Sequence, residues 1–219
     1  MRGSPPARPL GGVTLPDEQI DGWLRWSAAL CAIVSLGALV THVFGLLPMV
    51  FFLTFFGVPS ILLLLVMAAY ARWINAPVFL TALAVGLAGG FVGTLAYDGV
   101  RLLFRTLHLF NYDGFVAIYI FGGWITGRET TTVEAAIAGW TYHFWNGLSF
   151  GVFYVLTFGR RHWLYGAAYG VVMELCMLGL FPLFVQVTDR FDFILLSLIG
   201  HLVYGAVLGL IAQHWARSF

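Results

Sequence analysis

Charge is scarce in this chain. Asp, Glu, Lys and Arg make up 10% of its 219 residues, where a soluble domain carries about 25%. Lysine is absent, and all eleven basic residues are Arg. The formal net charge of +1 leaves no electrostatic case for nucleic acid. Cysteine is scarce too. Cys31 and Cys176 both lie in apolar runs, which excludes a disulfide framework and predicts two small buried hydrophobes. Local metal-ligand motifs are missing: there is no His-Glu-x-x-His and no Glu-x-x-His.

What the chain does have is apolar length. Hydrophobic residues make up 60% of it, enough for about six spans of roughly 20 residues each. The expected fold is an all-α, polytopic membrane helix bundle. Residues 1–22 hold Pro5, Pro6, Pro9 and Pro16 with mixed charge and no apolar period, and read as a mobile tail. Residues 23–219 read as a single transmembrane domain, with a helical hairpin over 26–70 and core helices over 78–217. Apolar runs cover 26–47, 49–70, 78–105, 132–158, 163–185 and 193–215, and Trp26, Trp73, Trp163 and Trp215 mark their ends. Residues 115–126 are apolar but too short to span about 30 Å of hydrocarbon as a helix. They read as a re-entrant or interfacial segment, which at membrane depth must be shielded by protein or line a cavity.

Six spans place Arg2, Arg8, Arg25, Arg72, Arg160, Arg161 and Arg217 on one side, and Arg101, Arg105, Arg128 and Arg190 on the other. The richer side is cytoplasmic by the positive-inside rule. Both termini are then expected in the cytoplasm.

Glycines recur one turn apart on four of the runs, each with an ionisable side chain on the same stripe. Gly86 and Gly90 lead to Asp98, and His143 leads to Gly147 and Gly151. Gly166 and Gly170 lead to Glu174, and His201 leads to Gly205 and Gly209. Successive runs cross in opposite directions, so the glycines share one leaflet and the ionisable groups lie near the midplane or beyond it. Small residues at this spacing let membrane helices approach closely, and the same spacing turns the ionisable groups inward. Asp98 is the least securely aimed, because the stripe drifts by about 120° over three such steps.

An ionisable group at that depth is a functional-site hypothesis by default. Asp98, His143, Glu174 and His201 have the ligand chemistry of zinc or non-haem iron, with Asn146 one turn from His143 as outer support. An enzyme built on that site would use metal-activated water on a lipid-like substrate. The same groups suit proton handling, and so a small-solute or ion transporter. His143 and His201 would also suit haem or a pigment in a non-catalytic subunit of a larger membrane complex. A purely structural role would pair His143 with Glu174 and Asp98 with Arg101, with Tyr97, Tyr142, Tyr165, Tyr169 and Tyr204 satisfying what remains. Every functional reading expects Glu174 in contact with His143 or His201. The expected partners are membrane lipids, a larger complex or a second copy of the chain.

Tyr142-His143-Phe144-Trp145-Asn146-Gly147, Glu174, His201-Leu202-Val203-Tyr204-Gly205 and the upstream Tyr97-Asp98 resemble a loose group of uncharacterised bacterial membrane proteins. The resemblance covers roughly residues 80–215. It implies no activity and favours a bacterial inner membrane.

Overall fold

The structure is a computed structural model that describes residues 17–109, 113–180 and 190–217. These residues form seven helices: α1 (Asp17–Val43), α2 (Met49–Trp73), α3 (Pro77–Thr106), α4 (Val116–Thr126), α5 (Val133–Phe158), α6 (Trp163–Leu180) and α7 (Arg190–Trp215). No strand occurs among the described residues, so the fold is the all-α bundle that the apolar runs predict. Helix α1 begins well before position 26, because residues 17–22 continue it without apolar periodicity. Residues 1–16 of the expected tail, and the part of the fifth run beyond Leu180, lie outside the described residues.

Five helices, α1, α2, α3, α6 and α7, are long and apolar enough to cross a membrane. Helix α5 is long enough, with 26 residues, but is less apolar. Its residues Trp140, Thr141, Tyr142, His143, Trp145 and Asn146 lower its hydropathy. It nevertheless runs antiparallel to α3 over most of its length. Gly86 of α3 abuts Val152, Gly90 abuts Gly147, and Asp98 meets His143. The polarity of α5 is tolerated because its neighbours α1, α3 and α4 cover it.

Two helix pairs are joined backbone to backbone. In α3–α5, a Cβ at Gly86 would come within 2.6 Å of Val152 Cα, and one at Gly90 within 2.5 Å of the Gly147 carbonyl oxygen. In α6–α7, a Cβ at Gly166 would come within 2.5 Å of Gly209 Cα, and Gly170 and Gly205 sit equally close to the facing backbone. All four predicted glycine pairs therefore lie in helix contacts. Helix α3 also packs on α7, with Gly89 against Leu208 and Gly93 against Tyr204. Tyrosine hydroxyls tie the helices across: Tyr204 donates to the Gly147 carbonyl at 2.7 Å, Tyr142 to the Ser35 carbonyl at 2.8 Å and Tyr169 to the Phe150 carbonyl at 3.3 Å.

The end of the bundle nearer the glycine pairs is closed by capping contacts. Arg25 donates to the carbonyls of Leu156 and Thr157 at 2.5 and 2.8 Å, satisfying the end of α5. The Trp163 amide at the start of α6 donates to Gln213 Oε1 at 2.7 Å. Helix α2 lies on the outside of the bundle and is the least buried of the five candidate spans. Its Leu53–Gly57 stretch is a π-turn just before Pro59. Proline offers no N–H there, so the wider turn avoids an unmade α-helical bond, and Gly57 leaves room for the Trp145 ring.

Helix α4 has 11 residues, or about 16 Å of helix, half a bilayer. It packs antiparallel on the first half of α5, with Gly122 against Ala135 and Ile118 against Gly139. Gly114 lies beside Arg101 of α3 and Leu196 of α7, and Phe115 packs on Trp140 at 5.6 Å. The chain thus leaves α3 at Thr106, descends to the level of Arg101 and Trp140, and climbs back through α4 to Gly127. The short apolar segment expected at 115–126 is a helix packed against α5 within the bundle.

Replacing Gly90 or Gly166 with Leu should lower the thermal midpoint in detergent by overpacking, at a cost of about 1–3 kcal/mol. Gly99→Leu, where a Cβ meets nothing within 4 Å, is the control. The packing argument fails if all three variants melt alike. Cysteines placed singly at Leu109 and Glu129, in a Cys31- and Cys176-free background, should react with an impermeant thiol reagent from the same side of the membrane. Labelling from opposite sides would mean that α4 spans.

Candidate functional site

Helix α3 sits between α5 and α7, and two consecutive residues serve its two sides. Neighbours on a helix point about 100° apart. Asp98 faces α5, where both its carboxylate oxygens lie 3.0 Å from His143 Nε2. Tyr97 faces α7, with its ring 4.9 Å from that of His201 and packed over Gly200. Tyr97 also reaches His143, at 6.3 Å between ring centroids.

Glu174 projects from α6 towards α7. Its Oε2 lies 2.7 Å from His201 Nδ1 and accepts from the Ser197 hydroxyl at 2.6 Å. The same His201 nitrogen is 3.0 Å from the Ser197 carbonyl. Flanked by a carboxylate and a carbonyl, Nδ1 carries the ring proton. By the same reasoning Nε2 carries it in His143. Glu174 is 0% exposed, and its Oε1 has no partner among the described residues.

Arg101 joins the two halves. Its Nη2 donates to the Tyr97 hydroxyl at 2.6 Å, its Nη1 lies 3.4 Å from Asp98 Oδ1, and the guanidinium stands 4.0 Å from the Tyr97 ring centre. The site thus holds two carboxylates, one guanidinium and two imidazoles in a region from which most water is excluded. Charges at such depth persist only when paired.

Beside these groups lies a cavity of about 280 Å³. Tyr97, Arg101, His143, Asn146 and His201 line one end of it, and Phe150, Phe153 and Tyr169 the other. Residues Ala117, Ile118 and Phe121 of α4 line it as well. Asn146 Oδ1 is buried without a partner among the described residues.

All four predicted site residues are brought to one region, but as two carboxylate–histidine pairs. Glu174 contacts His201 as expected. His143 pairs with Asp98 and not with Glu174, because Asp98 stays on the α3 face that Gly86 and Gly90 turn to α5. Arg101 was expected as a simple partner of Asp98 at the interface; it is buried and also holds Tyr97. Among the described residues no three His, Cys, Asp or Glu side chains come together as a metal-ligand set. Asp98 and Glu174 are partners of the histidine rings, occupying one nitrogen of each. Asn146 lies on the cavity wall one turn beyond His143, as its spacing implied. Tyr97 and Arg101, expected only as structural partners, complete the site together with Ser197, which was not named. Ser197 is four residues before His201 and Arg101 four after Tyr97, so helical spacing alone would have found both.

His42 and the two cysteines lie apart from the pairs. His42 accepts from the Met49 amide at 3.2 Å and packs on Trp124 at 4.4 Å, a structural role at the α1–α2 turn. Cys31 is half-buried, but Cys176 is exposed and not a buried hydrophobe. It sits on the rim of the cavity, where the inward stripe of α6 ends.

Truncating Glu174 to Ala removes one partner of a buried pair and should cost about 3–5 kcal/mol. Glu174→Gln keeps an acceptor for Ser197 and His201 and should cost clearly less. Thermal unfolding of both variants in detergent checks this, and equal losses would show that the carboxylate hydrogen bonds do not hold the pair.

The chain belongs to the Family of unknown function (DUF6789), whose model matches residues 80–218. The matched stretch contains both carboxylate–histidine pairs and leaves the α1–α2 hairpin outside. No curated protein and no solved structure matches the chain.

Proposed function

We propose that this DUF6789 member is an intramembrane proton-handling protein whose two carboxylate–histidine pairs act as acid–base groups on a ligand in the cavity. One observation carries the reading. Each carboxylate fixes one nitrogen of its histidine, and the other nitrogen has no partner among the described residues, while both rings line the cavity. A histidine oriented by a carboxylate can take a proton on its free nitrogen, and the carboxylate stabilises the imidazolium that results. Two such units side by side can exchange two protons with one ligand.

The metal reading has less support, since the carboxylates are spent on the rings. Zinc or iron held by His143 and His201 alone would need further ligands from the bound molecule. The haem or pigment reading is weakened by Tyr97, whose ring contacts both histidines and occupies the space a macrocycle would take. Elemental analysis and a visible spectrum of purified protein test both. A second reading, proton-coupled transport of a small solute, draws on α4, since broken or re-entrant segments that line a cavity recur in transporters.

The setting we propose is a bacterial inner membrane with both termini in the cytoplasm. Arg25, Arg72, Arg160, Arg161 and Arg217 gather at the end remote from the pairs, which supports that orientation. The pairs and α4 then face outwards.

Nitrogen-15 NMR of histidine-labelled protein in lipid should show the cavity-facing nitrogen of both His143 and His201 able to take up a proton within the pH range over which the protein stays folded. Asp98→Asn should alter the titration of His143, and Glu174→Gln that of His201, in protein that still folds. Rings locked in one state across this range would defeat the proposal.

A further inference from the structure

We infer that the cavity binds a neutral, flat-ringed amphiphile taken from the bilayer, of the isoprenoid quinone or quinol class. The inference rests on the proton-handling reading and adds the ligand to it. Four observations lead there.

The first is access. Helices α1 and α6 flank the cavity without packing closely on each other. Val172 and Cys176 of α6 line the cavity and are exposed, on the side where α1 and α6 leave a gap. The opening is therefore lateral, into hydrocarbon, and it admits molecules dissolved in the bilayer.

The second is shape. The lining runs along α5 from His143 to Phe153, ten residues or about 15 Å. At about 280 Å³ the cavity falls just below the usual range of small-molecule pockets, roughly 300–1,000 Å³. It has room for a ring and the first part of a chain, and the rest of a long chain would lie in the lateral opening. One end is polar and the other apolar and aromatic, so the ligand has one polar end.

The third is charge. With both carboxylates ionised, Asp98 and Glu174 bring two negative charges against one on Arg101, and a single protonated histidine makes the site neutral. An anionic head, such as a fatty-acid carboxylate, would add a charge that only protonation of the second histidine could balance. A neutral head fits without that demand.

The fourth is hydrogen-bonding pattern. Each histidine presents one free ring nitrogen, an acceptor when neutral and a donor when protonated. Asn146 Oδ1 is a buried acceptor with no partner among the described residues. Carbonyl oxygens accept from protonated imidazole, and ring hydroxyls donate to neutral imidazole or to Asn146. Either oxidation state of such a ring therefore finds partners here, its two carbonyls as acceptors or its two hydroxyls as donors, and no redox step is assigned to the site.

Purified full-length protein in phosphatidylcholine nanodiscs should bind decylubiquinone saturably, read as quenching of tryptophan fluorescence, since Trp140 packs against His143 at 5.6 Å. Cys176→Phe, which fills the lateral mouth, should weaken binding at least tenfold while the thermal midpoint stays within a few degrees of the parent. Decylubiquinol should compete, and dodecanoate at the same concentration should not. Non-saturable quenching, or equal quenching of parent and Cys176→Phe, would overturn the binding site. Competition by dodecanoate as strong as by the quinol would overturn the neutral-ring class in favour of fatty acid. The histidine titration of the ligand-free parent separates this inference from its premise. Two titrating histidines without quinone binding would sink the ligand assignment alone, whereas locked histidines would sink the proton-handling reading itself.

Discussion

Direct contact between helix backbones, made possible by glycine at four paired positions, is the constraint on which the rest of this bundle depends. Where α3 meets α5 and α6 meets α7, the facing surfaces have no side chains to hold them apart. In a bilayer there is no hydrophobic drive between helices, so close van der Waals packing must supply the association. The glycines serve one end of the bundle. Towards the other end the stripes carry Asp98, His143, Glu174 and His201, whose longer side chains fill the space between the same helices and pair across it. One pattern therefore sets both where the helices touch and where the ionisable groups meet.

Burying these groups is tolerable because almost every polar atom has a partner supplied by a neighbouring helix. Asp98 serves His143 and Arg101. Glu174 serves His201 and Ser197. Arg101 also serves Tyr97. The atoms left over are the free ring nitrogens, Glu174 Oε1 and Asn146 Oδ1. Three of these four belong to residues on the cavity wall, and Glu174 stands directly behind His201. These atoms of the site cluster around one space, while Tyr154 Oη and Thr157 Oγ1, off the cavity wall, are also buried without a partner among the described residues.

Much of this was legible in the sequence, for physical reasons that also explain the rest. Close packing at Gly86, Gly90, Gly166 and Gly205 follows from spacing alone, because residues four apart share a helix face whatever the fold. The half-depth of α4 follows from its length. The pairing of His143 with Asp98 did not follow, because it depends on which helix lies on which side of α3, and no local pattern encodes that. The run at 132–158 was legible as a helix from its length, while its polar residues, which other helices shield, keep it below the hydropathy of the five candidate spans. A polar pocket at the end away from the glycines followed from the stripes, but its apolar extension between α1 and α6 did not, since a gap between helices leaves no motif. Arg101 looked like an interface residue because the descent of the chain at Gly114, which buries it, could not be read from the hydropathy of residues 107–115.

Tyr97 and Asp98 are adjacent in the chain, yet one addresses α7 and the other α5. Both attachments are thus set by a single angle, the rotation of α3 about its own axis. A turn of that helix by a fraction of 100° would pull Asp98 from His143 and slide Tyr97 off His201 in the same movement, carrying Arg101 with them. The two pairs are mechanically one device with one shaft. Whatever twists α3, at either membrane surface, sets the alignment of both histidines together.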